Sequence, residues 1–186
     1  MQDHNTRAKE MWSVISPEVS FEGKTVIDIG CGHGDMSRRV FDGGVSLLVS
    51  IDSSYDNINA TVRNALRDTN YNTRFIPFHR SFEQFVMFDI RAFDIFDIAI
   101  CFSVLPYFKD GIPLSLQKIA SICKYALLEC QYHGDGPGPE ELKSSEDFKK
   151  IILNNGFSEA LLMGYSVVKS RGLHRDIFYC KSDINL

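Results

Sequence analysis

The stretch Thr25-Val-Ile-Asp-Ile-Gly-Cys-Gly-His-Gly-Asp35 restricts the folds open to this chain more than any other. Thr25 to Ile29 is a short, β-branched-rich run bounded by turn residues, the pattern of a buried parallel strand. It breaks into Gly30-Cys-Gly32-His-Gly34, and Asp35-Met-Ser-Arg-Arg-Val-Phe41 then starts a helix with Asp35 as its expected N-cap. Strand, glycine turn and helix N-terminus in that order build the crevice in which open α/β sheets hold nucleotide-like ligands. Glycine suits such a turn because the backbone must lie against the ligand with positive φ, which a Cβ resists.

Spacing narrows the ligand. A dinucleotide fingerprint reads G-x-G-x-x-G and sets a pyrophosphate on the helix N-terminus. Here the spacing is G-x-G-x-G, and Asp35 stands where the third glycine would fall, opposing a nearby pyrophosphate. Asp28, just ahead of Gly30, is placed to attract a cationic ligand. S-Adenosylmethionine carries an ammonium and a sulfonium and no phosphate. The stretch resembles the D-x-G-x-G-x-G motif of class I S-adenosylmethionine-dependent methyltransferases. That resemblance implies cofactor contacts at Asp28, Gly30, Cys31, Gly32 and Gly34. It also implies an α/β fold: a doubly wound, mostly parallel, seven-stranded Rossmann-like sheet with a C-terminal antiparallel hairpin.

At 186 residues, 44% hydrophobic and 24% charged, the chain fits one soluble domain over residues 1–186. Residues 5 to 15 carry Arg7, Ala8, Met11, Trp12 and Ile15 at helical spacing. The N-terminal helical segment, residues 1–20, is expected to pack on or cap the cofactor site. Trp12, the only tryptophan, is either a packing anchor or part of that cover. No membrane-length apolar run or targeting segment is visible. The five cysteines lack C-x-x-C spacing and read as reduced, buried thiols of a cytoplasmic protein. A net charge of −4 gives no global field toward nucleic acid.

Ser46 to Ile51 reads as a second buried strand ending at Asp52, with Ser53 beyond it. An acid about twenty positions after the glycine turn, at a strand's carboxyl end, is placed to bind ribose hydroxyls or to cap the next helix. Thr73 to Phe78 forms a third strand near the sheet edge, since Pro77 lacks a ladder donor. After it, where the resembled family binds adenine, Ser81 and Phe82 are expected to serve through backbone groups and stacking. His79 reads as an ordinary loop histidine or a neighbour of that site. Asp94 to Phe102 is the central fourth strand, and Ser103-Val-Leu-Pro-Tyr107 after it resembles the family's fourth motif. The resemblance runs the backbone of Cys101 and Phe102 beside the cofactor's methionine part. Tyr107 either faces the acceptor or packs on the next helix.

Tyr125 to Cys130 reads as the fifth strand, followed by the Gly/Pro-rich Gln131-Tyr-His-Gly-Asp-Gly-Pro-Gly-Pro139, the best substrate loop. His133 in that loop is the first candidate general base, with Tyr107 and Asp135 in reserve. Ala160 to Val168 and Asp176 to Cys180 form the closing hairpin, joined by a basic segment holding Arg171, His174 and Arg175. These three either grip an anionic acceptor or stand as solvated charges. The expected activity is methyl transfer to a small-molecule or glycan-like acceptor at oxygen. The alternatives are an RNA or protein methyltransferase of the same fold, a nicotinamide-dependent oxidoreductase, and a non-catalytic cofactor-binding protein.

Overall fold

A computed structural model describes residues 4–65, 74–132, 139–168 and 173–184. Its centre is a seven-stranded sheet in the order β3-β2-β1-β4-β5-β7-β6. The strands are β1 Thr25–Ile29, β2 Leu47–Asp52, β3 Arg74–His79, β4 Phe96–Phe102, β5 Cys123–Glu129, β6 Phe157–Val168 and β7 Leu173–Ser182. β1 to β5 run parallel, and β7 and β6 add an antiparallel hairpin at one side. The order reverses between β1 and β4, so the crevice at their carboxyl ends is the topological switch point. Pro77 falls on β3, an edge strand, where its missing N–H costs least.

The apolar runs of β1, β2 and β4 are buried on both faces because helices cover both. The helices are α1 His4–Ile15, α2 Asp35–Asp42, α3 Tyr55–Ala65, the one-turn α4 Phe82–Gln84, α5 Gly111–Ile122 and α6 Ser145–Leu153. Val26, Leu48, Ile98 and Ile100 face Met11, Ile15, Met36 and Val40 of α1 and α2. Ile27, Val49, Ala99 and Cys101 face the opposite layer, with Phe85, Leu116, Ile119 and Phe148. Trp12 is a packing anchor: its ring stacks on Phe21 at 5.2 Å. All five cysteines are free and buried. Among the described residues no helix is long and apolar enough to cross a membrane.

One local expectation needs correction. Gly34, with φ +83, is the N-cap of α2, and Asp35 is the first helical residue. A left-handed entry suits glycine, and Asp35 then meets the helix dipole from inside the first turn.

Candidate active site

The glycine turn leaves β1 between two neighbours that admit no side chain. A Cβ on Gly30 would sit 2.6 Å from a Val104 methyl, and one on Gly34 would sit 2.7 Å from the Thr61 Cα. Gly32, with φ +56, has open space where its Cβ would point. α3 holds the turn from one side: Thr61 Oγ1 donates to the Gly32 carbonyl at 2.9 Å, and Asn64 Nδ2 donates to that of His33 at 2.7 Å. Asp52 holds it from the other, accepting from Gly32 N at 3.0 Å, Ser54 N at 2.8 Å and Asn57 Nδ2 at 3.1 Å. This carboxylate therefore ties the turn to the start of α3, where Ser54 Oγ makes the capping bond by accepting from Asn57 N at 3.4 Å.

Asp28 points beneath the turn. Its carboxylate accepts from Ser37 Oγ at 2.5 Å, and Ser37 in turn lies 3.0 Å from Ser50 Oγ. Burial raises the Asp28 carboxyl to about 6, the Ser37 bond opposing and the Asp52 charge adding. Cys31 Sγ contacts Thr61 Oγ1 at 3.4 Å, and burial lifts the Cys31 and Cys101 thiols far above their ordinary range. Neither is a nucleophile.

A cleft of about 540 Å³ opens above the turn. Its wall brings together Gly30, Asp52, Ser53, Ser81, Phe82 and Tyr107, six of the residues singled out from the sequence. Ser81 closes a capping box with Gln84, so its hydroxyl and its N–H are both engaged there. Phe82 is buried against Phe108 at 5.2 Å, while Tyr107 is 64% exposed at the rim. Cys101 and the half-buried Phe102 direct their side chains into the two core layers, and neither lines the cleft. His79, at the cleft's edge, donates from Nε2 to the Ser53 carbonyl at 3.0 Å. A larger depression of about 760 Å³ lies at the opposite, amino ends of the strands. Open α/β sheets bind ligands at the carboxyl ends, which favours the smaller cleft.

Beyond Val104 the strand ends carry a buried polar cluster that the sequence did not reveal. Glu129, fully buried at the end of β5, accepts from Arg7 Nη2 at 2.5 and 2.7 Å and from the Ser103 and Ser166 hydroxyls. Ser103 Oγ also accepts from Arg7 at 2.7 Å and from Arg175 Nη1 at 2.9 Å. Arg175 is 7% exposed, which corrects the alternative of a solvated charge; the fold draws it over the end of β5. His174 is exposed and stays outside, its ring 4.5 Å from that of Tyr165. Tyr132 donates to Asp176 at 2.6 Å beside the cluster. The available signal was a glutamate closing the apolar run Tyr125-Ala-Leu-Leu-Glu129, an expensive residue to bury without a partner. His133, Asp135 and Arg171 lie outside the described residues.

The fold is shared with solved structures. Magnesium protoporphyrin IX methyltransferase from Synechocystis PCC 6803, crystallised with bound S-adenosylmethionine, superposes with a TM-score of 0.72 at 19% identity. That likeness covers 97% of this chain and 80% of the other. A family of methyltransferase domains matches residues 4–158. The chain belongs to the class I S-adenosylmethionine-dependent methyltransferases.

Two further relatives bound what the methyltransferase shares with others. The bifunctional kinase-methyltransferase WbdD superposes with a TM-score of 0.70 at 18% identity, over 97% of this chain and 40% of that one. A tRNA U34 carboxymethyltransferase of Pseudomonas putida (strain GB-1) is 34% identical over 44 residues. That stretch is 24% of the methyltransferase and only 14% of the relative. The cleft volume lies within the range of small-molecule and cofactor sites, and the open space above Gly32 lets a ligand rest on backbone. The residues present fit the family's cofactor.

Proposed function

We propose that the enzyme methylates an oxygen of a small-molecule or glycan-like acceptor. S-Adenosylmethionine, when bound, supplies a methyl group already activated on a sulfonium. The chain's own task is to hold that donor in line with an acceptor oxygen. We assign the ribose to Asp52 and Ser53, and the adenine to the wall at Ser81 and Phe82. The methionine part then rests on the turn from Gly30 to Gly34, above Asp28 and beside the backbone of Cys101 and Phe102. Where the acceptor is a hydroxyl, a base must take its proton as the new bond forms. His133 and Tyr107 are assigned that role, with Asp135, Arg171, His174 and Arg175 on the acceptor side. Residues 1–186 act as one unit in this reading, with the N-terminal helical segment, residues 1–20, packing on or capping the cofactor site.

The observation that carries the oxygen-acceptor reading is the polar wall at the ends of β4 and β5. Glu129, itself held by Ser166, and Arg175 fix Ser103 there, Ser103 holds the Gln131 amide nitrogen, and the unpaired Gln131 carbonyl oxygen suits a hydroxylated acceptor. An RNA acceptor is the second reading, favoured by the short match to the tRNA enzyme and opposed by the net charge of −4. Incubation with methyl-labelled donor and separate metabolite, glycan and RNA pools tests both. Label in the metabolite or glycan pool is the expected result; label confined to RNA would overturn it.

A further inference from the structure

The buried cluster at the ends of β4 and β5 is not closed upon itself. Glu129 has its two oxygens occupied by Arg7, Ser103 and Ser166, which fills the lone pairs a carboxylate offers. The Ser103 hydroxyl accepts from two arginines and donates to Glu129, and so is also full. Two polar atoms are left over. Arg7 Nε and Gln131 Oε1 are buried without hydrogen-bond partners among the described residues. Gln131 is only 5% exposed, and its amide nitrogen is already committed to the Ser103 carbonyl at 3.2 Å. Its carbonyl oxygen cannot turn away without giving up that bond. Buried polar atoms left unpaired cost free energy, and native structures keep few of them without a reason.

The position of these atoms supplies the reason. Ser103 holds φ +62, the sole non-glycine positive φ among the described residues, a conformation retained where surrounding structure enforces it and common at ligand sites. It sits between Val104, which lines the cofactor cleft, and the cluster. The cluster reaches solvent through Arg7, whose side chain keeps 21% of its exposure. A guanidinium N–H seeks an anionic oxygen, and an amide oxygen seeks a hydroxyl or amine donor.

We infer that Arg7 and Gln131, set by Ser103 and Glu129, form the acceptor's anchoring subsite, and that it takes a hydroxylated molecule bearing an acidic oxygen group, a carboxylate or a phosphate. The inference rests on the acceptor reading above and adds its charge and its anchor. Arg7 binds the acidic oxygen from the N-terminal helix, and Gln131 accepts from the neighbouring hydroxyl.

The test uses the full chain saturated with S-adenosylhomocysteine, titrated separately with gluconate, glycerol 3-phosphate and neutral glucose. Emission of Trp12, on the same helix as Arg7, reports binding. One of the two anions is expected to saturate at millimolar concentration, at least about tenfold more tightly than glucose; which one does so separates carboxylate from phosphate. Arg7→Gln and Gln131→Glu should each weaken that anion at least about tenfold, with S-adenosylhomocysteine affinity held within about twofold. Arg7→Lys, which keeps the charge, should recover part of the loss. Glucose binding as tightly as the anions, or no saturation by either anion, would overturn the subsite. So would variants that lose S-adenosylhomocysteine and keep the anion, since the cluster would then serve the donor. Failure of the wild-type chain to bind S-adenosylhomocysteine would strike the underlying cofactor reading instead, before any anion is added.

Discussion

Replacing Asp52 with Asn tests the joint role of this carboxylate more sharply than removing it. Oδ1 accepts from Ser54 N and Asn57 Nδ2, and Oδ2 accepts from Gly32 N. In Asp52→Asn the amide oxygen can keep the first pair, which turns the new NH2 toward the Gly32 N–H. Two donors then face each other, and a hydrogen bond to a charged acceptor is lost, a cost of about 1.5–3 kcal/mol. For a chain of this length each kcal/mol lowers Tm by about 2–4 °C, so a fall of about 3–12 °C is expected. A ribose hydroxyl bonded to the same carboxylate loses a contact of similar size, which weakens S-adenosylhomocysteine by about 10- to 150-fold. Thermal unfolding and titration calorimetry on one preparation read both. A lower Tm with affinity within about threefold would leave Asp52 only a brace of the turn. Weakened binding at an unchanged Tm would refute the bracing geometry.

Three further outcomes follow from the same structure. Gly34→Ala places a methyl against the Thr61 Cα at a φ of +83, so stability should fall by about 2–5 kcal/mol, and unchanged denaturant unfolding would refute the close approach. The Asp28 carboxyl, raised by burial from its ordinary value to about 6, keeps its proton in the native state after the unfolded chain has released it. Stability from this group is therefore lost as pH rises from about 4 to 6, by about 3 kcal/mol in total, and is flat above. The difference in Tm between Asp28→Asn and wild type should grow in favour of the variant across that window; a constant difference would refute the assignment. Ser144→Ala removes the N-cap that accepts from Asp147 N at 3.2 Å and should cost about 1 kcal/mol without altering S-adenosylhomocysteine affinity. A loss of cofactor affinity in that variant would contradict a purely capping role for Ser144.

Much of the fold was legible because its signals are local. The continuous apolar runs of β1, β2 and β4 could only be strands covered on both faces, and Pro77 assigned β3 to an edge before any pairing was known. The G-x-G-x-G turn and Asp52 likewise announced the cofactor crevice, since glycine spacing and an acid at a strand end carry their geometry with them. Finer capping was less secure: whether Gly34 or Asp35 occupies the N-cap depends on how closely Thr61 crosses the turn, a contact between helices.

The buried polar cluster at the ends of β4 and β5 was decided by the tertiary structure alone. Arg7 and Glu129 lie 122 positions apart, and Ser103, Ser166 and Arg175 come from three further segments. No spacing rule links them, because their meeting depends on β7 running antiparallel beside β5 and on α1 reaching across the strand ends. As isolated letters they read as a helix surface charge, a strand acid and a loop arginine. Packed together, they must satisfy one another's hydrogen bonds away from water, and the atoms left unsatisfied, on Arg7 and Gln131, become visible only when that accounting is done in three dimensions.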